Sequence, residues 1–251
     1  MLSTAPLILA STLIALADLK KGEDGWDGQV VFNASAASGN TENAVIGARF
    51  DAARKFGPIT HAFEAAGDYA EATQRRDGTE TSVVTQNRWH GQYRIEIQTG
   101  DNSFLYGRGR YGEDQFSGFD RQAFVGGGLG HSLYDRPNRR LTLLVGPGYQ
   151  YLERTRPQNA PDDFERTEGT LAVFLGETLR HVIRENVTLE QSLDATISDE
   201  NAQINNTISL KTKLTEKISS RISYRVIHNT DPPDGRQSTD TLLQASIGYD
   251  F

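Results

Sequence analysis

Residues 239–251 alternate to the last position of the chain. Thr241, Leu243, Ala245, Ile247, Tyr249 and Phe251 fall on one face, and Asp240, Gln244, Ser246 and Asp250 on the other, with Leu242 the one apolar intruder. A period of two is the signature of a strand with one apolar face. The same split recurs upstream. In 81–97, Val83, Trp89, Tyr93, Ile95 and Ile97 oppose Gln86, Arg88, His90, Gln92, Arg94 and Glu96. In 187–198, Val187, Leu189, Leu193, Ala195 and Ile197 oppose Thr188, Glu190, Ser192, Asp194 and Thr196. A helix would scatter these charges around its circumference, whereas a strand gathers them on one side.

The pattern predicts about twelve strands, over 27–37, 42–54, 59–71, 81–97, 103–113, 120–135, 140–152, 167–182, 187–198, 203–214, 218–229 and 239–251. Strands of soluble sheets average about five or six residues, whereas tilted membrane-spanning strands need about ten. Short connections over 55–58, 99–102, 136–139, 184–186 and 215–217 alternate with longer ones over 72–80, 114–119, 153–166 and 230–238. The predicted fold is therefore all-β, a single antiparallel transmembrane β-barrel, with a soluble β protein as the rival. Two residues break the parity: Glu177 interrupts Leu171, Val173, Leu175 and Leu179, and Gln191 interrupts the following strand. A bulge or an interfacial depth would accommodate each. Gly146-Pro147-Gly148 removes a ladder donor inside a strand and predicts a bulge or bend there.

Composition fits this fold. Only 37% of residues are hydrophobic, too few for a helical membrane protein but sufficient when every second strand residue faces lipid. The net charge of −7 argues against a nucleic-acid-binding domain. The absence of Cys excludes thiol chemistry and disulfides. The apolar run from Leu7 to Ala17, ending Ala15-Leu16-Ala17, has the form of a secretory signal. The expected organisation is a signal peptide over 1–17, a short segment over 18–26 and a barrel over 27–251, located in the bacterial outer membrane.

The last strand resembles the signal that the barrel assembly machinery reads, with Gln244, Ser246, Tyr249 and Phe251 in its key places and Ser where Gly is usual. More widely, Ser38-Gly39-Asn40-Thr41, the run from Glu113 to Arg121, the run from Gly146 to Tyr151, Asp231-Pro232-Pro233-Asp234-Gly235 and the terminal Tyr249-Asp250-Phe251 occur in order. Together they resemble the DUF481 family, which includes the salt-induced outer membrane proteins. The resemblance covers about Trp26 to Phe251 and implies an outer-membrane barrel of undefined biochemical role, with no catalytic residues to carry over.

The polar face gives the candidate site. Arg88, His90, Arg94, Glu96, Arg108, Arg110, Glu190, Asp194, Lys211, Lys213, Arg221 and Arg225 are predicted to line the lumen, and Arg49, Asp51, Glu64 and Asp68 share their parity. Opposite charges would pair and plug the interior, or a residual positive stripe would favour anions in a narrow channel. The expected function is thus structural or a narrow solute channel with a charged lumen.

A lipid-modifying hydrolase with a rim active site is the alternative. It would need a Ser, a His in reach and an orienting group. Of His61, His90, His131, His181 and His228, only His90 lies on a polar face, while His131 and His228 lie near strand ends with outward parity. No Gly-x-Ser-x-Gly occurs, and no enzyme chemistry is expected. No cofactor or metal site is predicted either, since His-x-x-x-His and Cys spacings are absent and the acids at Asp114, Asp162, Asp163 and Asp234 read as solvated loops. The expected partners are outer-membrane lipid, lipopolysaccharide and the assembly machinery, around a monomer that binds no nucleic acid.

Overall fold

The computed structural model describes residues 24–37, 41–76, 79–115, 119–156, 161–199, 201–232 and 238–251. It contains twelve strands: β1 (Gly25–Ala37), β2 (Thr41–Phe56), β3 (Ile59–Arg76), β4 (Thr79–Gln98), β5 (Ser103–Asp114), β6 (Phe119–Arg136), β7 (Arg139–Arg154), β8 (Thr167–Arg184), β9 (Val187–Ser198), β10 (Ala202–Lys213), β11 (Ile218–Asn229) and β12 (Thr239–Asp250). Each pairs antiparallel with the next, and β12 returns to β1 to close the barrel. The architecture and strand number are those the alternation predicts. The segment over 1–17, Ser38-Gly39-Asn40 and Pro233-Asp234-Gly235 lie outside the described residues.

Closure rests on the two ends of the barrel segment. Gln29 to Phe32 pair with Asp250 to Ile247. The Gly28 N–H donates to the Phe251 carbonyl at 3.1 Å, and the Phe251 N–H donates back to the Gly28 carbonyl at 2.9 Å. The Phe251 ring stacks on Phe50 with centroids 6.2 Å apart.

One end carries tight turns. Gly57, with φ of 57°, turns β2 into β3, and its N–H donates to Asp24 at 2.8 Å. Strand pairing there reaches Phe56 opposite Ile59, and Arg136 pairs with Arg139, so these turns are shorter than the sequence predicts. The loop expected over 72–80 is instead hairpin: β3 and β4 stay paired to Arg76 opposite Thr79. Backbone groups paired beyond the expected strand ends account for both differences.

The outer wall is apolar and the interior polar, the reverse of a soluble sheet. Phe32, Val125, Leu129, Leu171 and Leu243 are exposed outside, while Asp51, Glu64, Arg88, Arg94, Arg108 and Asp194 are buried inside. Trp26, Phe56, Tyr134, Tyr249 and Phe251 ring the turn end. Tyr69, Trp89, Tyr111 and Tyr149 stand in the loop half.

Register shifts occur at Ala70/Glu71, Phe119/Arg121, Ser132/Tyr134 and Val182/Arg184. None falls at the parity faults. Glu177 pairs in register with Leu193, and Gln191 with Ile208, so no bulge accommodates either. At Pro147 the register is also unshifted: β6–β7 pairing skips from Gly126 opposite Gly148 to Leu129 opposite Val145 in the same frame. The missing donor opens rungs of the ladder without inserting a residue. Gly127 and Gly146 approach so closely that a Cβ on Gly146 would collide with the Gly127 carbonyl.

Candidate functional site

Alternation sends one side chain in every two into the interior, and the antiparallel register sets inward residues of neighbouring strands side by side. The result is a continuous polar chain across the seam. Glu190 on β9 pairs with Arg221 on β11 at 2.9 Å. Arg221 donates to Gln29 on β1 at 3.3 Å, and Gln29 donates to Asp51 on β2 at 3.0 Å. Arg49 binds Asp51 at 2.8 Å and Glu64 on β3 at 3.1 Å. Glu64 in turn meets His90 on β4 at 2.7 Å. Alongside it, Arg88 pairs with Asp68 at 2.6 Å and Lys211 with Asp250 at 2.8 Å.

All of these groups but Glu64 border a cavity of about 150 Å³ whose wall includes Asp27, Arg49, Asp51, Asp68, Arg88, His90, Glu190, Lys211, Arg221, Arg225 and Asp250. Hydroxyls of Ser192, Thr207, Ser209 and Ser223 share the wall. Arg225 differs from its neighbours. It donates to the Thr207 hydroxyl at 3.3 Å and has no carboxylate partner among the described residues. It therefore brings to the cavity a guanidinium with no carboxylate in direct contact.

The predicted lumenal set divides in two. Arg88, His90, Glu190, Lys211, Arg221 and Arg225 border the cavity. Arg94, Glu96, Arg108, Arg110 and Asp194 also face inward but pack elsewhere in the interior, and Lys213 is exposed at the end of β10. Arg94 pairs with Glu96 at 3.0 Å. Arg108 donates to Gln92 at 3.0 Å and lies 4.0 Å over the Phe174 ring and 5.2 Å from the Phe124 ring. A guanidinium can stack on an aromatic face without giving up its charge.

That side of the interior holds residues the charge-based reading passed over. Phe104, Tyr106, Leu144 and Phe174 form a buried cluster, with Phe124 packed against it. Its floor is glycine: a Cβ on Gly130 would strike the Phe104 ring, and one on Gly148 the Phe124 ring. The signal was available, since Phe104, Tyr106, Phe124 and Phe174 have inward parity on their strands. The interior thus has a polar side, β1–β4 with β9–β12, and an aromatic side over β5–β8.

The rim histidines do find hydroxyls. His131 meets Ser103 at 2.9 Å on the turn end, and His228 meets Thr239 at 2.9 Å on the loop end. Neither ring has a carboxylate or amide partner among the described residues, so neither has the orienting group of a hydrolytic triad. Among the described residues no three metal-ligating side chains converge. Of the terminal signature, Tyr249 and Phe251 stand outward and Gln244 and Ser246 inward.

The family model described as "Protein of unknown function, DUF481" matches residues 30–251. The chain belongs to the DUF481 family. No curated protein matches it significantly in sequence. Two solved structures share the fold of this DUF481 barrel at low identity. The translocator domain of autotransporter NalP from Neisseria meningitidis is 16% identical, with a TM-score of 0.51 over 90% of this chain and 88% of that one. The COG4313 outer membrane channel from Pseudomonas putida F1 is 10% identical, with a TM-score of 0.52 over 90% of this chain and 95% of that one. Both likenesses concern the fold alone.

Proposed function

We propose that this DUF481 barrel lies in the bacterial outer membrane and provides a narrow pathway for small polar solutes, with anions preferred. The apolar outer wall and its aromatic residues at two levels support the location, as does a fold shared with an outer membrane channel. Short turns then face the periplasm and longer loops face outward. Outer-membrane lipid and lipopolysaccharide cover the wall. The assembly machinery reads Gln244, Ser246, Tyr249 and Phe251.

The observation that carries the pathway is the polar cavity with Arg225 on its wall. The formal charges on its wall balance, five Arg or Lys against five Asp or Glu, and Arg225, which makes no direct ion pair among the described residues, is the cation left to meet an anionic solute. The test is flux. Proteoliposomes holding the folded barrel are mixed with small anionic and cationic solutes of equal size while light scattering records swelling. Faster entry of the anion supports the reading; equal rates with empty vesicles defeat it.

A second reading has its own observation. The cluster of Phe104, Tyr106, Leu144 and Phe174 fills one side of the interior, as it would in a barrel that serves the envelope structurally. The same flux experiment separates the two.

A further inference from the structure

The two residues that break the outer parity lie together. Glu177 on β8 is in register with Leu193 on β9, and Gln191 is the next outward residue of β9 toward the turn end. The Gln191 amide donates to Asn206 on β10 at 3.1 Å, and Asn206 also pairs in register with Leu193. Three polar side chains therefore surround Leu193 on the outer wall. Leu175, Leu179 and Ile208 flank them, so the patch lies inside the apolar band and away from either rim. Glu177 has no hydrogen-bond or ion-pair partner among the described residues. A carboxyl group facing hydrocarbon is costly, and polar side chains in such a band serve as interhelix or interstrand glue when a partner supplies the missing hydrogen bonds.

We propose that this face is the contact between two copies of the chain. The proposal rests on the reading of the outer wall as lipid-facing. Its chemistry is self-complementary. A two-fold axis along the membrane normal, passing at Leu193, sets Glu177 of one copy against the Gln191 and Asn206 amides of the other, and the reverse. Each carboxyl then gains amide donors, each amide pair gains an acceptor, and Leu193 meets its own counterpart. Such an isologous contact closes at two copies. On this proposal the assembly is a dimer where the sequence reading expects a monomer, since parity alone does not bring three polar residues from three strands to one spot.

The chain has no Cys, so Leu193→Cys supplies a single thiol at the axis. Leu105→Cys, exposed on the β5 wall, is the control. Both variants are folded into lipid vesicles, insertion is verified by protease protection, and the thiols are oxidised. The expected result is a covalent dimer from Leu193→Cys and none from Leu105→Cys. Adding Glu177→Leu should weaken association about tenfold, since two symmetric hydrogen-bonded contacts worth about threefold each are lost. Glu177→Gln, which still hydrogen-bonds, should keep the dimer. An inserted barrel that fails to cross-link at Leu193, or cross-links equally at Leu105, overturns the proposal. A barrel that fails to insert refutes the membrane reading instead, and protease protection tells these apart.

Discussion

The ring of Phe251 occupies the space a side chain on Gly28 would need: a Cβ there would lie 2.5 Å from the ring. The same two residues exchange both backbone hydrogen bonds, so the last residue of the chain is a closing rung of the seam. A terminal aromatic thus has a structural duty besides any recognition by the assembly machinery. Ring stacking on Phe50 ties that rung to β2.

Gly28→Val should therefore loosen the seam. The added methyls meet the Phe251 ring and the Asp51 carbonyl, and overpacking of this kind costs about 1–3 kcal/mol. Urea titration of the folded protein in detergent should show a lower midpoint, with the loss of seam pairing visible as faster hydrogen exchange at Val30 and Tyr249. An unchanged midpoint would mean that the ring moves aside freely.

The fold was legible because period-two patterning survives wherever one face meets an apolar phase. Each of the twelve strands could be placed from its own residues. Connections were less legible: backbone pairing carries β3 to Arg76 and β4 back to Thr79 through the polar run Thr73-Gln74-Arg75-Arg76, which has no apolar face to mark it as strand. The interior was legible by parity and sign, as at Arg88 and Glu190. It was not legible which inward charges face open space. That depends on residues brought opposite by the barrel's curvature, so Arg94 and Arg108 pack against neighbours while Arg225 reaches the cavity. The aromatic side is not legible from charge: Phe104 and Phe174 share the inward parity of their strands, but sign alone does not single them out.

Glu64 holds the Arg49 guanidinium and the His90 imidazole from two strands, with its side chain 1% exposed. Glu64→Ala should leave Arg49 with Asp51 alone and His90 without a carboxylate. Breaking a buried pair from one side costs about 3–5 kcal/mol, and the surviving Asp51 contact argues for the lower end. Chemical denaturation checks the size of the loss. A change below about 1 kcal/mol would mean that water replaces the carboxylate readily.

Phe174 anchors the aromatic side and is 1% exposed. Phe174→Ala should cost about 3–5 kcal/mol through the void it leaves, and it should also free the guanidinium of Arg108. Conductance of the variant should exceed that of the parent if this cluster narrows the pathway. A less stable variant with unchanged conductance would place the pathway wholly on the polar side.

Arg225→Gln removes the cavity cation that makes no direct ion pair while keeping a hydrogen-bonding side chain beside Thr207. The ratio of anion to cation permeability, read from the reversal potential in a salt gradient, should fall toward unity. Arg121→Gln, at the exposed loop rim and paired with Glu153, should leave the ratio unchanged. Equal effects from both would point to surface charge and not to the cavity.

The most direct measurement is single-channel current from the folded chain in a planar bilayer, with folding confirmed in the same sample. Discrete steps of small, anion-favouring conductance are the predicted result. A silent bilayer over many confirmed insertions would contradict the pathway and leave a plugged barrel.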